Sequence, residues 1–239
     1  MPSLKYYKEF KNTLGHYQMS NRAKKALDGL HLVLMVATSS TGRNTMIGEL
    51  LKTGKYHFIV SDTTRPPQLR DGQLEENGVN YFFRTEQEVL ADLKAGEFLE
   101  AAIIHEQQVS GISIRELESV KSQNKIAITD IDIVCAYNIM QAQPSAIAIF
   151  FVPPSFGEWQ NRLAKRGKMT DQELKNRLAG AEKEFKAALK HDYYHFVVAD
   201  DLARTVPLVD KIAHGEKDGV EQQRGRQLIE ELLKDLKNS

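Results

Sequence analysis

The sequence of 239 residues contains very little cysteine and no excess of either charge. Its single cysteine, Cys135, excludes a disulfide within the chain and fits a reducing compartment. Lysine and arginine together number 32, as do aspartate and glutamate, so the formal net charge is zero. Proteins that bind nucleic acid usually carry a surplus of basic residues, and the zero balance therefore argues against nucleic acid as a partner.

Long apolar runs are also missing. No stretch approaches the roughly 20 apolar residues that span a bilayer, and the opening MPSLKYYKEFKNTLGHYQ lacks the apolar centre of an export signal. We therefore expect no membrane partner and no export, and we predict a cytoplasmic location. Hydrophobic residues make up 41% and charged residues 27%, which is typical of a globular protein with one substantial core.

Five apolar runs alternate with segments of helical character. The runs are HLVLMV (31–36), HFIVS (57–61), KIAITDI (125–131), AIAIFFV (146–152) and HFVVA (195–199). Their continuous apolar character suits parallel strands covered on both faces, and the alternation predicts a doubly wound α/β core. Several helices are expected to begin with a capping box, in which a hydroxyl and a glutamate three residues later bind free N–H groups. The candidates are Thr85–Glu88, Ser113–Glu116, Ser155–Glu158 and Thr170–Glu173.

Other segments interrupt or flank this alternation. Residues 62–115 are polar and turn-rich before VNYFF and EFLEAAIIH, which predicts a small mixed β insertion. Residues 155–193 contain two charged helices in succession and are predicted to form a mobile lid. The ends, 1–30 and 216–239, are predicted to be helical extensions.

The stretch ATSSTGRNT (37–45) lies between the first apolar run and a helix-like segment. A helix that begins after a strand favours anions, because its free N–H groups point at the ligand. Arg43 adds a positive charge there. An ordinary polar turn explains the stretch about equally well, since only Gly42 and Thr45 are strongly typical of a phosphate-binding loop.

More motifs follow in a fixed order. They are SDTTRPP (61–67), Glu75 with Gly78 and Tyr81, GEFLEAA (96–102), TDID (129–132), FFVPPS (150–155), the pair Arg162 and Arg166, and ADDL (199–202). Each is weak alone, but in this order, over about residues 31–214, they give a chain that resembles the guanylate kinase family. The resemblance implies a P-loop kinase-like parallel core (31–61, 116–154 and 194–215), a GMP-binding insertion (62–115) and a helical lid (155–193). It also implies ATP with Mg²⁺ and GMP as the molecules bound.

The resemblance implies a role for each matching residue. The ATP phosphates would be held by Ser40, Thr41, Gly42, Arg43, Asn44 and Thr45. The GMP side would be formed by Ser61, Arg65, Arg70, Glu75, Tyr81, Glu100, Asp130 and Asp132, with Arg65 and Tyr81 on the phosphate. The catalytic set would be Arg43, Arg65, Arg162, Arg166 and Arg177. No dedicated metal ligands are predicted.

The residue types suit this chemistry. Phosphoryl transfer needs positioning and charge compensation, and arginine binds phosphate oxygens through two parallel donors. Glu100 and Asp132 would face the guanine edge, because a carboxylate accepts from both N1–H and the N2 amino group. Adenine offers a lone pair at N1 instead, so a kinase of another nucleoside monophosphate is a weaker hypothesis.

The chain departs from the family pattern at several positions. Arg43 replaces the loop lysine, while Ala37 and Ser40 replace glycines. About four extra residues separate Arg65 from Tyr81, and Arg70 in this longer loop is the candidate substitute for a second phosphate-binding arginine. These changes leave two hypotheses open, an active guanylate kinase and a binding module with the same fold. We predict the enzyme, acting as a monomer or homodimer on GMP, with dGMP as a second candidate acceptor.

The individual residues also have ordinary structural explanations. Asp130 and Asp132 could end a strand and cap the next helix, and Tyr81 alternates with Phe83 as core residues do. Arg162 and Arg166 could belong to a solvated helix face. These explanations do not account for the order of the motifs.

Overall fold

The computed structural model describes residues 4–70, 72–104, 106–165 and 170–238. The helices are α1 (Tyr7–Gly15), α2 (Asn21–Leu27), α3 (Arg43–Lys52), α4 (Glu86–Ala95), α5 (Ile114–Ser122), α6 (Ile133–Ala142), α7 (Phe156–Lys165), α8 (Asp171–Ala188), α9 (Leu202–Ala213) and α10 (Gly219–Asn238). The strands are β1 (Leu32–Ala37), β2 (Tyr56–Phe58), β3 (Asp62–Thr63), β4 (Leu69–Arg70), β5 (Gln73–Leu74), β6 (Phe82–Phe83), β7 (Phe98–Ile104), β8 (Gln108–Ser113), β9 (Ile126–Asp130), β10 (Ile147–Val152) and β11 (Tyr194–Val198). Within these ranges, no helix has the length and apolar character needed to cross a bilayer.

The chain divides into two compact units, each formed by separate pieces of sequence. Unit 1 comprises Met1–Leu30 and Phe58–Ala127, and unit 2 comprises His31–His57 and Ile128–Ser239. The boundaries given above for core, insertion and lid stay predictions.

The apolar runs predict a parallel sheet, and most of its residues belong to unit 2. The strand order of this sheet is β11-β10-β1-β9-β2. β1 pairs in parallel with β10, which places Val33 opposite Ile147, and β10 pairs in parallel with β11. Four of the five predicted strands begin and end within one residue of the structure, and the predicted α/β class is confirmed. β2 ends at Phe58, three residues before the predicted end.

Aromatic rings join the sheet of unit 2 to the helices beside it. The Phe150 ring contacts the rings of Phe185, Tyr194 and Phe196 at centroid distances of 6.0, 5.7 and 6.0 Å. Trp159 of α7 in turn contacts Phe185 of α8 at 5.9 Å. All five side chains are buried, and their edge-on contacts favour fixed ring orientations. These contacts therefore fix α7 and α8 relative to β10.

Unit 1 contains a smaller mixed sheet of order β6-β3-β8-β7. β3 pairs in parallel with β6 and antiparallel with β8, as expected for a mixed β insertion. Between Arg65 and Tyr81, where about four extra residues are predicted, β4 pairs antiparallel with β5 and Leu69 lies opposite Leu74.

The N-terminal segment packs within unit 1. The Glu86 carboxylate accepts hydrogen bonds from the N–H groups of Lys5 and Tyr6, at 3.1 and 2.9 Å, just before α1 begins. The Tyr17 hydroxyl donates to the Phe98 carbonyl at 2.6 Å, and Phe10 is fully buried with the apolar side of α4. The first two helices thus form part of the core of this unit.

The predicted helix starts have mixed outcomes. Thr85 and Glu88 form a complete capping box, and the hydroxyls of Ser155 and Thr170 accept from the N–H groups three residues later. The box predicted at Ser113 is wrong, because this side chain makes no capping hydrogen bond. Its partner Glu116 is buried and accepts from the Val60 N–H at 3.3 Å instead.

Helix α10 packs tightly against β11 at Gly225. A Cβ at this position would lie 2.5 Å from the Cβ of Phe196, which is closer than atoms can pack. We expect Gly225→Ala to lower the free energy of unfolding by about 1–3 kcal/mol, as overpacking of a core does. Urea denaturation measures this. Gly219→Ala is the matched control, because nothing lies within 4 Å of a Cβ at Gly219 in the same helix. Equal stability of the two variants would contradict the close packing.

Candidate active site

The loop of residues 37–45 follows β1 and leads into α3. Gly42 has a φ of 112°, a value that favours glycine, and precedes the first residue of α3. Ser40 also has a left-handed conformation, with a φ of 64°, and its hydroxyl is buried without a partner. A left-handed non-glycine residue costs about 1–2 kcal/mol, so the surrounding contacts hold the loop in this shape.

Two buried threonines close the turn from inside. The hydroxyls of Thr38 and Thr41 lie 2.9 Å apart, and the Thr41 hydroxyl also donates to the Thr38 carbonyl at 2.9 Å. Both side chains are almost completely inaccessible to water. These hydrogen bonds leave the turn with one well-defined conformation.

Three side chains from α7 and α8 hold the loop from outside. The Trp159 indole N–H donates to the Ser39 carbonyl, and Arg177 Nη1 donates to the Ser39 hydroxyl, each at 2.8 Å. Arg162 Nη1 donates to the Thr41 carbonyl at 2.8 Å and to the Ala199 carbonyl at 3.0 Å. The structure therefore brings Arg162 and Arg177 to the loop. Arg166 lies outside the described residues, and its predicted role stays a prediction.

Arg43 is bound to the end of β9. Its Nη2 lies 2.9 Å from Asp130 Oδ2, and its Nη1 donates weakly to the carbonyls of Met35 and Ile131 at 3.4 Å. The Nε group is buried without a hydrogen-bond partner. In this conformation the guanidinium charge is compensated by Asp130.

A cavity of about 380 Å³ opens over the loop. It is lined by residues 37–45 together with Arg162 and Lys165. Among the described lining residues there are three cationic side chains and no carboxylate. Cations beside backbone N–H groups at a helix start are the arrangement that binds phosphates. Asn44 and Thr45, also in this lining, are exposed at the beginning of α3.

The second aspartate of TDID begins a helix. Asp132 Oδ1 accepts from the N–H groups of Val134 and Cys135 at 2.8 and 2.9 Å and thereby caps α6. This is the ordinary structural role considered for it above. Its predicted contact with guanine stays a prediction.

Glu184 of α8 belongs to the same surroundings and was not predicted from the sequence. Burial raises the pKa of its carboxyl to about 7, with Arg43 lowering it and Asp132 raising it further. Neither a hydrogen bond nor an ion pair to this carboxyl is found within the described parts of the chain. No sequence pattern distinguishes Glu184, because a glutamate on a charged helix usually faces water.

In unit 1, Arg65 and Glu75 form a buried pair. Arg65 Nη1 and Nη2 donate to the two Glu75 oxygens, at 2.5 and 2.9 Å, and the side chains are only 6% and 1% exposed. The guanidinium lies over the Tyr81 ring, 4.7 Å from its centroid. The Gln68 N–H also donates to Glu75, at 3.0 Å. The structure thus brings together three of the predicted GMP residues.

The other predicted residues of unit 1 are Ser61, Arg70 and Glu100. Glu100 is partly buried on β7 opposite Ile112, whose side chain is buried. The Ser61 carbonyl accepts from the Phe82 N–H at 2.9 Å. Arg70 belongs to β4, and its side chain is outside the described part of the structure.

The raised pKa of Glu184 predicts a pH-dependent stability. A carboxyl with a raised folded-state pKa binds a proton more tightly when folded, so stability falls as pH rises from about 4.5 to about 7. We expect Glu184→Gln to unfold like the parent near pH 4.5 and to gain about 1–2 kcal/mol at pH 8, since one pKa unit equals about 1.4 kcal/mol before solvent screening.

Urea denaturation at several pH values measures this difference. Glu182→Gln is the matched control on the same helix, because the hydrogen bond from Lys186 lowers the pKa of Glu182. A difference between Glu184→Gln and parent that stays constant with pH would contradict the assignment.

Comparison with known proteins agrees with this geometry. The model of the family described as guanylate kinase matches residues 30–215. The guanylate kinase of Symbiobacterium thermophilum is 35% identical over 203 residues, which cover 84% of this chain and 92% of that protein. Guanylate kinase 1 of Oryza sativa is 34% identical over 178 residues, covering 73% of this chain but only 45% of that protein.

A solved structure is also similar. The crystal structure of guanylate kinase from Anaplasma phagocytophilum has a TM-score of 0.57 and 25% identity, covering 80% of this chain and 88% of that one. The family match spans the loop of residues 37–45, the buried Arg65–Glu75 pair and the helices that carry Arg162 and Arg177. The chain therefore belongs to the guanylate kinase family.

Proposed function

We propose that the protein transfers the terminal phosphoryl group of ATP to GMP, forming ADP and GDP. The observation that carries this proposal is the cavity over residues 37–45, in which three cations and a helix start converge without a carboxylate among the described lining residues. A polyanion is the ligand that such a surface attracts. The family assignment also supports guanylate kinase activity. It favours this activity over a module that only binds a nucleotide or a protein partner.

The ATP phosphates would be bound by backbone N–H groups of the loop and by side chains around it. Ser40, Thr41 and Gly42 supply the turn, while Arg162 and Lys165 supply charge from α7. Arg177 reaches the same loop through Ser39. Because phosphoryl transfer depends mainly on positioning and charge compensation, this set can act without a covalent intermediate.

Arg43 would act by exchanging partners. It now pairs with Asp130, but both side chains are partly exposed, at 23% and 35%, so the ion pair is weak. A triphosphate carries more negative charge than one carboxylate and offers oxygens matched to the guanidinium fork. Arg43 would therefore leave Asp130 for the phosphates when ATP binds.

Mg²⁺ fits the site as a companion of the nucleotide. No group of three or more histidine, cysteine, aspartate or glutamate side chains placed to hold a metal occurs in the described ranges. Mg²⁺ commonly keeps several waters and binds substrate phosphates with few protein ligands. The exposed Asn44 and Thr45 would hold it at the start of α3. The ion would neutralise charge that develops on the phosphates.

GMP would bind to unit 1. Glu75 orients the Arg65 guanidinium from one side and Tyr81 packs on its face, which prepares Arg65 to hold a phosphate. Glu100 would accept from the guanine N1–H and amino groups, with Ser61 and Arg70 completing the predicted surroundings. Asp132 keeps one oxygen, Oδ2, that α6 does not use.

We propose further that the enzyme is cytoplasmic, since its single cysteine fits a reducing compartment, and that it works as a monomer or homodimer.

Removing the Arg43 charge should slow the reaction. We expect Arg43→Ala to reduce kcat by about 10³-fold or more, the lower end of the range for an arginine that stabilises transferring phosphate, and Arg43→Lys to recover part of the rate. A coupled assay of ADP release measures both. Lys52→Ala, at an exposed position of the same helix, is the control. Turnover of Arg43→Ala at the parental rate would show that the loop works without this side chain.

Neutralising Glu100 should weaken the binding of GMP and leave the binding of ATP unchanged. A hydrogen bond to a charged group contributes about 1.5–3 kcal/mol, so we expect Glu100→Gln to raise the KM for GMP about tenfold or more and to weaken discrimination against AMP. Assays with GMP, AMP, CMP and UMP measure this. Glu97→Gln, three residues earlier and paired with Arg22, is the matched control. Unchanged KM and unchanged selectivity would refute the guanine contact.

A further inference from the structure

Helix α10 lies beyond the segment that matches the family, which ends at residue 215. It packs along β11, the last strand in the sheet order. Gln222 accepts from the Phe196 N–H and donates to the Tyr194 carbonyl, each at 2.9 Å, and Glu221 accepts from the Val198 N–H at 2.8 Å. Side chains of α10 thus satisfy the free edge of β11 as a neighbouring strand would.

The chain that leaves β11 forms the wall of a second cavity in unit 2. This cavity, of about 210 Å³, is lined by residues 199–202 and by Gly42, Thr45 and Arg162 among others. The same three residues line the cavity over the phosphate loop. The two cavities are therefore neighbours across Gly42. A nucleoside triphosphate whose phosphates occupy the first cavity is long enough to extend into the second.

A closed ring of charges holds this wall. Arg224 Nη2 donates to Asp200 Oδ2 at 2.6 Å, and Arg204 Nη2 donates to Asp200 Oδ1 at 2.8 Å. Both arginines also donate to Glu221 Oε2, Arg204 at 3.0 Å and Arg224 at 3.3 Å. Asp200 Oδ1 additionally accepts from the Asp201 N–H at 2.6 Å. Two acids and two bases thus alternate around the ring.

The charge on Asp200 is stable across the neutral pH range. Burial alone would raise the pKa of its carboxyl, but the hydrogen bonds from Arg224, the Asp201 N–H and Arg204 together hold the pKa below its ordinary value. Arg224 therefore has two effects on the cavity wall. It fixes the position of Asp200, and it compensates a negative charge that would otherwise face a triphosphate.

We propose that Arg224 is a positioning residue for ATP, acting from a helix outside the matched family segment through Asp200 on the wall of the second cavity. The inference rests on the proposed function, in which the loop of residues 37–45 binds the ATP phosphates. Arg224 itself is not among the lining residues of either cavity. Its effect should appear in the binding of ATP and should be absent from the binding of GMP.

The test compares two arginines of α10 in the full-length protein. Arg224→Ala removes the side chain that binds Asp200, whereas the control, Arg226→Ala, removes one that binds the fully exposed Asp192. We expect Arg224→Ala to raise the KM for ATP and the Kd for a non-hydrolysable ATP analogue about three- to tenfold, with kcat and the KM for GMP unchanged. Arg226→Ala should bind ATP like the parent.

Further variants separate charge from structure. Asp200→Asn added to Arg224→Ala should restore part of the ATP affinity, because the uncompensated charge is then removed. Arg224→Lys keeps the charge but cannot bind Asp200 and Glu221 through two separate nitrogens, so we expect a KM for ATP between those of the parent and Arg224→Ala. This variant replaces Arg224→Ala in the test if Arg224→Ala does not fold. Equal ATP affinity of the Arg224 and Arg226 variants would overturn the inference, as would an equal loss of GMP affinity. A parent protein that does not bind the ATP analogue would instead overturn the proposed function, and the inference with it.

Discussion

The two hydrogen bonds from Arg162 Nη1 connect the loop of residues 37–45 to the residue that follows β11. Both cavities of unit 2 depend on these bonds, because Arg162 lines each of them. One carbonyl belongs to Thr41 and the other to Ala199, so a single nitrogen fixes the distance between two segments far apart in sequence. The fully buried Trp159, one helical turn earlier on α7, adds the bond to Ser39. The two cavities of unit 2 are thus organised from α7, while the aromatic core beneath holds that helix in place.

Position 43 is an arginine where the family pattern leads us to expect a lysine, and this difference changes which atoms the side chain can contact. The planar guanidinium binds Asp130 with one nitrogen and approaches two backbone carbonyls with another, whereas an ammonium group offers a single compact charge. The Arg43 guanidinium therefore lies beside the end of β9. In this position its charge is near the loop of residues 37–45, and the 380 Å³ cavity above the loop stays open.

Sequence patterns predicted the elements whose signal is local. Continuous apolar runs located the strands of unit 2, and a threonine with a glutamate three residues on located the start of α4. The capping box predicted at Ser113 is wrong because the Glu116 carboxylate accepts from the Val60 N–H instead. No local pattern reveals a partner so distant in sequence. Arg65 and Glu75 were both selected, but as ligands of GMP; their pairing with each other is a property of the folded hairpin region.

Two residues near the cavities of unit 2 escaped prediction because their surroundings are formed by segments distant in sequence. Glu184 lies on a charged helix, and only its burial near Arg43 distinguishes it from an ordinary surface glutamate. Arg224 belongs to a terminal helix with no family motif, and its bond to Asp200 spans 24 positions. The family motifs predicted residues that would touch nucleotides, but the contacts that support those residues became visible only in three dimensions.

Each unit is formed by separate pieces of sequence, and this has a consequence for the order in which the units can fold during synthesis. Unit 1 has all its residues once the ribosome has passed Ala127, so its core can form early. β1, by contrast, lies between β9 and β10 in the sheet, and these strands begin only at Ile126 and Ile147, with α10 later still. The apolar β1 and the loop of residues 37–45 must therefore wait without a neighbouring strand until residues 126–130 have been added, and without the second neighbour until residues 147–152 have been added.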